Sequence, residues 1–283
     1  MEIRQPAFAG SWYPGSAAAC KAEIDQYMSQ PLGQDLATRT WLGGIVPHAG
    51  WYFSGHLAAS VIGLLKEDQT PDVVVIFGMH LHPRSSNFMM PSGVWQTPVG
   101  DLPVAETLAD DLRQQFSFEL ETPDRFSPDN TIEVQLPFIK YILDPGAVLG
   151  LGVPPAAHAV DIGRAVARWA IDNRKRVKVL GSTDLTHYGY NYDYAPQGHG
   201  PSAVEWVREH NDRRVIDAIV AMAPEQVLQE GLENRNACCA GAVSAAMAAG
   251  QEMGATQGRL VAYASSYDKI PGESFVGYTG VVF

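Results

Sequence analysis

The amino-acid sequence predicts an α/β fold with three layers (α/β/α), in which helices cover both faces of a central, mostly parallel sheet. Apolar runs of strand length alternate with stretches of helix length along the whole chain. This alternation is typical of parallel strands joined by helical crossovers. The chain contains no internal repeat and no linker rich enough to divide it. We therefore expect one domain over residues 1–283.

The strands are predicted from short apolar runs rich in valine, isoleucine and leucine, which suit buried strands of a parallel sheet. In chain order these strands cover residues 42–47, 72–77, 147–153, 177–182, 259–265 and 275–283. Residues 84–104 and 188–201 are rich in proline, glycine or tyrosine. The first of these segments is predicted to be a long excursion with short strands, and the second an irregular loop.

The helices are predicted from apolar stripes at helical spacing and from good helix formers. In chain order they cover residues 16–29, 55–66, 105–116, 133–143, 159–172, 203–220, 224–231 and 237–249. Pro137 weakens the prediction for the fourth helix, because proline disrupts a helix interior. For the last helix, Asn236 is predicted to cap the N-terminus and Gly250 to end it.

Composition narrows the classes of function. The chain has 283 residues, of which 46% are hydrophobic and 18% charged, and a formal net charge of −11. This charge argues against nucleic acid as a partner, since phosphate binding needs clustered lysine and arginine. No apolar run is long enough to span a membrane. Three cysteines make no disulfide framework, and the N-terminus lacks the apolar core of a signal peptide. We therefore expect a cytoplasmic protein.

Histidines follow the ends of predicted strands. His48 follows the strand 42–47, and His80 and His82 follow the strand 72–77. Because ligands bind beyond the carboxyl ends of strands in open α/β sheets, we expect these imidazoles to converge. Imidazole is the commonest metal ligand. The pair His80 and His82 leaves open whether both or only one of them reaches the site, and a solvated pair in a loop is the alternative.

Asp184 and His187 follow the strand 177–182, three residues apart. A carboxylate can fix the tautomer of a histidine and raise its basicity, so the two are candidates for an acid/base pair. Asp129 and Glu133 lie in a loop-to-helix passage. Glu133 is a candidate to orient a metal-binding histidine, and Asp129 is equally explained as a helix cap.

Cys238 and Cys239 are predicted to lie in the first turn of the helix 237–249 if Asn236 is its cap. Unpaired N–H groups there favour a thiolate, which is a good ligand for iron, copper or zinc. Burial as small hydrophobic side chains is the alternative.

In several motifs the sequence resembles the Memo-like proteins, whose prokaryotic members are called AmmeMemoRadiSam system protein B. The motifs occur in family order over nearly the whole chain. They are Ala9-Gly10-Ser11-Trp12-Tyr13-Pro14, Pro47-His48-Ala49-Gly50, Thr131-Ile132-Glu133-Val134-Gln135-Leu136-Pro137, Ser182-Thr183-Asp184-Leu185-Thr186-His187, Ala237-Cys238 and Tyr263-Ala264-Ser265-Ser266.

The resemblance implies a fold like that of class III extradiol dioxygenases, which use non-haem Fe(II). It implies that His48, His80 and Cys238 are metal ligands, with Asp184 and His187 beside them. The chain departs from the family pattern in three places. A residue is missing between Gly78 and His80, which makes His82 a rival. Cys239 replaces a glycine and becomes an alternate ligand, and Asn130 stands where a histidine often precedes the Thr131 motif.

We therefore expect a metal-binding protein with redox or dioxygenase-like activity on a small substrate, in which His187 acts as general acid/base and Asp184 orients it. Non-haem Fe(II) is the expected cofactor, with copper or zinc as alternatives, because a thiolate softens the site. The resemblance also implies a second hypothesis, a non-catalytic metal- or peptide-binding partner of radical-SAM and AMMECR1-like proteins. A zinc hydrolase is a third.

Overall fold

A computed structural model describes residues 2–29 and 34–283 of the chain. Its strands are β1 (Ile3–Arg4), β2 (Gly43–Val46), β3 (Val73–Gly78), β4 (Asn87–Met89), β5 (Val94–Trp95), β6 (Leu102–Pro103), β7 (Phe118–Leu120), β8 (Ala147–Gly152), β9 (Val177–Ser182), β10 (His187–Tyr188), β11 (Arg259–Ser265) and β12 (Phe275–Val282). The α-helices are α1 (Ala17–Met28), α2 (Gln34–Ala37), α3 (Trp51–Leu64), α4 (Glu106–Gln115), α5 (Asn130–Glu133), α6 (Leu136–Phe138), α7 (His158–Asp172), α8 (Pro201–Trp206), α9 (Asp212–Val220), α10 (Pro224–Asn234) and α11 (Ala240–Glu252).

The main sheet has the strand order β10-β12-β2-β9-β3-β8-β4-β7, with β11 paired to β12. Its centre is parallel, because β2 pairs with β9, β9 with β3, and β3 with β8 in the same direction. The flanks are antiparallel where β12 meets β2 and β4 meets β8. The central strands are buried along their whole length. The mixed α/β class and its parallel centre confirm the fold expected from the sequence.

Helices pack against the sheet and against one another. α11 packs against β9, β2 and β3 and against α7. α3 packs against β12 and β2 and against α1. The contact between α7 and α11 is close, because a Cβ atom on Gly163 would lie 2.0 Å from the carbonyl oxygen of Ala245. Only glycine at position 163 allows the two backbones to approach so closely.

The order of the central strands positions the candidate site. β9 lies between β2 and β3, so the carboxyl ends of these three strands are neighbours. The segments that carry His48, His80 and Asp184 begin at these ends. Three strands that are distant in sequence therefore deliver their polar side chains to one edge of the sheet.

Most element boundaries agree with the sequence prediction within a few residues, but the start of α11 was predicted wrongly. The helix begins at Ala240 with Cys239 at its N-cap, and it runs past Gly250 to Glu252. Asn236 does not cap it, because its amide donates to the carbonyl oxygen of Asn211 and to Glu230 at 2.9 and 3.0 Å. These long-range hydrogen bonds draw residue 236 away from the helix start.

In the part of the chain that the structure describes, every helix is too short or too polar to cross a lipid bilayer.

Candidate metal centre

His48 is held two residues beyond the end of β2 by hydrogen bonds on both its backbone and its ring. Its backbone N–H donates to Oδ1 of Asp184 at 2.8 Å, and the side chain is 1% exposed. Nδ1 lies 3.0 Å from Oγ of Ser182, and that hydroxyl donates its own proton to the carbonyl of Thr131 at 2.7 Å. Ser182 therefore accepts from Nδ1–H of His48, and the lone pair of His48 is on Nε2.

His80 reaches the same place because the chain turns sharply after β3. Met79 has a φ of 70°, in the left-handed region, and its N–H donates to Oγ1 of Thr131 at 2.7 Å. A non-glycine residue rarely adopts this conformation. Nδ1 of His80 lies 3.3 Å from Oδ2 of Asp129. A carboxylate only accepts, so the lone pair of His80 is also on Nε2.

The Nε2 lone pairs of the two imidazoles point toward each other. Nε2 of His48 and Nε2 of His80 are 3.1 Å apart, and the rings meet at 83°. Two nitrogen lone pairs at this distance repel unless a cation lies between them. The cation can be a proton shared by the rings or a metal ion bound by both nitrogens.

Cys238 brings a sulfur atom to the same point. Its Sγ lies 3.3 Å from Nε2 of His48 and accepts from the backbone N–H of Asp184 at 3.3 Å. The cysteine pair precedes α11 and does not lie in its first turn, as the sequence had predicted. The N–H groups of Cys238 and Cys239 instead donate to the carbonyl of Asp184 and to Oγ1 of Thr183 at 3.1 Å each. The loop after β9 therefore holds the pair in place.

The two cysteines differ in protonation. Burial by itself would raise the pKa of the Cys238 thiol, but the hydrogen bond from Cys239 and the positive imidazole of His48 lower that pKa well below its usual value. Burial and the neighbouring Cys238 raise the pKa of Cys239 well above its usual value. Cys239 is 2% exposed, and its Sγ lies 3.7 Å from Sγ of Cys238. These opposite shifts make Cys238 the cysteine of the pair that ionises more readily.

The structure brings His48, His80 and Cys238 together, with Cys239 beside them. One donor atom from each of these four side chains lies within 4.8 Å of the others. His82 is not a member of this group, and its Nδ1 accepts from the N–H of Arg84 at 3.2 Å. The group offers two imidazole nitrogens and two cysteine sulfurs, and donors of these kinds suit iron, copper or zinc.

Charges around the cluster favour a positive charge on the pair of imidazoles when no metal is bound. Burial lowers the pKa of His80, but the hydrogen bond to Asp129 and the Cys238 thiolate outweigh it and raise the pKa to about 10. Burial acts on His48 in the same way, and the carboxylate of Asp184 and the thiolate reverse it, so the pKa of His48 is also raised. A metal ion must displace this positive charge to bind.

Among the described residues, no hydrogen bond joins the Asp184 carboxylate to His187, although their spacing suggested one. That carboxylate accepts from the N–H of His48, and Oδ2 lies 3.9 Å from Nε2 of that histidine. Nδ1 of His187 instead lies 3.1 Å from the carbonyl oxygen of Leu185. That contact fixes the proton on Nδ1 and leaves the lone pair on Nε2. The turn after β9 directs the two side chains to different partners.

Two polar residues near the cluster have functions that the sequence did not reveal. Among the described residues, no hydrogen bond joins Glu133 to a histidine. Its carboxylate accepts from the N–H groups of Ala7 and Phe8 and from the hydroxyl of Tyr13 at 2.7 to 3.0 Å, which fastens the N-terminal segment to α5. Asp129 caps α5, as expected, and also holds His80. The position of Asp129 directly before the Thr131 motif was the one sequence signal that it belongs to the site. Its contact with His80 could not be predicted, because the two residues are 49 positions apart.

An open cleft beside the cluster, the aromatic cleft, has a volume of about 390 Å³. Aromatic rings form much of its wall, and His48, His80, Asp184 and His187 reach it. The rings are those of Trp12, Phe53, Tyr192 and Tyr278. The cleft can therefore receive a small molecule with apolar surface next to the cluster.

The chain matches a protein-family model described as Memo-like protein over residues 4–282. The chain belongs to the Memo family. This match confirms the resemblance seen in the motifs. Among the relatives, a MEMO1 family protein from Thermococcus onnurineus is 30% identical over 99% of both chains. Another from Methanococcoides burtonii is 31% identical over 99% of both chains, and one from Methanothermobacter thermautotrophicus is 32% identical over 98% of both.

Among solved structures, an uncharacterized protein from Escherichia coli superposes with a TM-score of 0.48 at 13% identity, over 85% of this chain and 98% of the other.

Proposed function

We propose that this Memo-family protein binds one iron ion through His48, His80 and Cys238 and uses it for a redox, dioxygenase-like reaction on a small molecule. The observation that carries the proposal is the convergence of three lone pairs. Ser182 and Asp129 hold the protons of the imidazoles on Nδ1, so both Nε2 atoms face the Cys238 thiolate. Such outer hydrogen bonds are the usual support of metal-binding histidines.

Three donors on one side leave coordination positions for a ligand. The set is similar to the facial triad of two histidines and one carboxylate in non-haem iron enzymes, with a thiolate in place of the carboxylate. Cys239 stays outside this ligand set in our proposal, because burial and the neighbouring Cys238 raise its pKa and so disfavour a second thiolate. A bound iron ion would supply redox chemistry and Lewis acidity. Copper and zinc are the alternatives for the same donors.

The remaining residues of the site bind the small molecule and move a proton. The rings of the aromatic cleft bind its apolar surface. His187 reaches this cleft with its lone pair on Nε2, so it accepts a proton from the bound molecule. Asp184 acts through His48, because it fixes the backbone and balances the charge of that residue. We place this function in a single domain over residues 1–283. The main sheet supports this, because it joins β2, from the first part of the chain, to β12, from the last part.

The metal content of two matched cysteine variants tests the ligand set. Wild-type protein and Cys239→Ser, purified without chelators and loaded anaerobically with Fe(II), are expected to retain about one iron per chain. Cys238→Ser is expected to lose most of the metal, because serine does not supply a thiolate. Elemental analysis after gel filtration gives the stoichiometry. Retention by Cys238→Ser with loss in Cys239→Ser would move the ligand to Cys239.

Oxygen uptake with a panel of catechols tests the activity. Wild-type protein loaded with Fe(II) is expected to consume oxygen, and His187→Ala is expected to consume none while it retains the same metal content. Loss of metal in His187→Ala would make that histidine a ligand. A wild-type protein that retains iron, consumes no oxygen and captures a partner protein would favour the non-catalytic binding hypothesis.

A further inference from the structure

The metal cluster also borders a second cleft, which we call the Arg235 cleft. It has a volume of about 560 Å³, and it shares His80 and His187 with the aromatic cleft. Cys238 forms part of its wall, and His82, Leu232 and Arg235 are found only on this side. The cluster therefore lies between an aromatic cleft and a second cleft of different chemical character.

Arg235 gives the second cleft a fixed positive charge. The residue ends α10 with a φ of 52°, in the left-handed region. Its terminal nitrogens each donate to a backbone carbonyl, that of Asp193 and that of Tyr192, at 3.3 Å, and its guanidinium lies 4.8 Å from the ring centre of Tyr194. These partners are neutral. Among the side chains that the structure describes, no carboxylate lies within ion-pair distance of Arg235.

A guanidinium has five N–H donors, and the two carbonyls use two of them. Within the described part of the chain, the Nε–H group and the second N–H on each terminal nitrogen make no hydrogen bond, so a ligand can use them. Because the carbonyls and the Tyr194 ring already hold the side chain, binding an anion costs less conformational entropy than it would at a mobile arginine.

His82 adds a hydrogen-bond donor to this cleft. Its Nδ1 accepts from the N–H of Arg84, so in the neutral ring the proton is on Nε2. None of the described residues that line the cleft is an aspartate or a glutamate, although the chain has a net charge of −11. A cleft with one arginine, three histidines and no carboxylate favours a negatively charged ligand, because the Cys238 thiolate on its wall is already paired with the His48 imidazole.

We propose that the Arg235 cleft binds the oxyanion group, a carboxylate or a phosphate, of a small molecule whose other end faces the metal cluster. The Arg235 guanidinium pairs with the negative charge of the oxyanion, and His82 donates a hydrogen bond to one of its oxygens. The proposal of an oxyanion site depends only on the residues that line the cleft. The orientation of the molecule toward the metal rests on the proposed function.

Alkylation of Cys238 tests the oxyanion site, because this thiol is part of the same cleft. Iodoacetate carries a carboxylate, whereas iodoacetamide is its neutral analogue. In both reactions a bond forms between Sγ and the methylene carbon, the carbon–iodine bond breaks, and iodide leaves. The rates are measured on the metal-free full-length chain by mass spectrometry of the peptide that contains Cys238, with Cys238→Ser as the check on the modified site.

The ratio of the iodoacetate rate to the iodoacetamide rate is expected to fall about fivefold in Arg235→Gln, the effect of one partly exposed ion pair. His82→Asn is expected to lower the ratio by a smaller factor. Arg259→Gln is the matched control, since it removes the same charge from an exposed position on β11, and it should leave the ratio unchanged. An unchanged ratio in Arg235→Gln, or a Cys238 that resists both reagents, would overturn the proposal.

Competition identifies the oxyanion. Inorganic phosphate and acetate are added separately to the iodoacetate reaction, and the ion that slows the wild-type rate at the lower concentration is the preferred group. Neither ion should slow Arg235→Gln, and equal slowing in that variant would place the anion elsewhere. Because these rates need no metal, a wild-type chain that binds no iron would defeat the proposed function and leave the oxyanion site standing.

Discussion

Replacing Asp129 by asparagine tests two contacts of this residue separately. One is its hydrogen bond to the candidate ligand His80, and the other is its cap on α5. In the wild-type chain Oδ2 accepts from Nδ1–H of His80 at 3.3 Å, and Oδ1 accepts from the N–H of Thr131 at 2.9 Å. Burial raises the pKa of Asp129, but the hydrogen bonds from His80 and Thr131 lower it to about 2. The carboxylate is therefore ionised at every pH at which the protein would be assayed.

The expected loss of metal affinity in Asp129→Asn follows from the contact with His80. Removing the hydrogen-bonding partner of a metal-binding histidine typically weakens metal binding about 10- to 100-fold, or about 1.4 to 2.7 kcal/mol. The cap of α5 should survive, because asparagine and aspartate are about equally good N-cap residues. We therefore expect weaker metal binding with a thermal midpoint close to that of the wild-type chain.

Competition with a chromophoric chelator measures the affinity, and thermal denaturation of the metal-free protein measures the stability. Asp129→Ala is the control, since it removes both contacts and should also cost about 1 kcal/mol through the lost cap. Unchanged affinity in a stable Asp129→Asn protein would refute the argument that Asp129 holds His80 as a ligand. A large loss of stability in the same variant would show that the carboxylate serves mainly the fold.

Three further predictions concern stability. The buried carboxylate of Glu133 accepts three hydrogen bonds, and glutamine at this position would leave donors unpaired. Glu133→Gln should therefore lower the free energy of unfolding, measured in urea, by about 1 to 3 kcal/mol. An unchanged urea midpoint would contradict this. Burial raises the pKa of Asp212 to about 7 from 3.8. Between about pH 4 and 7 the folded chain therefore keeps a proton that the unfolded chain releases. The free energy of unfolding of the wild-type chain should fall with rising pH over this range, by up to about 4 kcal/mol relative to Asp212→Asn. Parallel curves of stability against pH for the two proteins would contradict this prediction. Gly163→Ala should cost about 1 to 3 kcal/mol, because its Cβ would meet the backbone of α11. Gly63→Ala, whose Cβ would meet only the flexible tip of a methionine, should cost far less; equal losses in the two alanine variants would show that backbone contact is not the cause.

The sequence by itself determined the class of fold and the residues that carry polar chemistry. Apolar runs predicted the central strands β2, β3, β8 and β9, because buried parallel strands must be apolar on both faces. The histidines were conspicuous because each follows such a run. Both signals depend only on residues that are neighbours along the chain, so they can be read from the sequence.

Only the tertiary structure decided which of these residues meet. β9 lies between β2 and β3, an order that no local pattern contains, and this order brings Nε2 of His48 to 3.1 Å from Nε2 of His80. The left-handed turn at Met79 selects His80 over His82 as the member of the cluster. The choice depends on Thr131, which accepts from the N–H of Met79 across 52 residues.

The predictions that the structure corrected share one physical reason. Asn236 and Asp184 were assigned partners a few residues away, a helix start and His187 respectively. In the structure each bonds to a distant segment, Asn236 to Asn211 and Asp184 to His48. A buried polar group takes whichever donor or acceptor the fold places beside it, because leaving it unpaired costs more than giving up a local contact. Spacing along the chain shows which groups need partners, and packing decides which partners they receive.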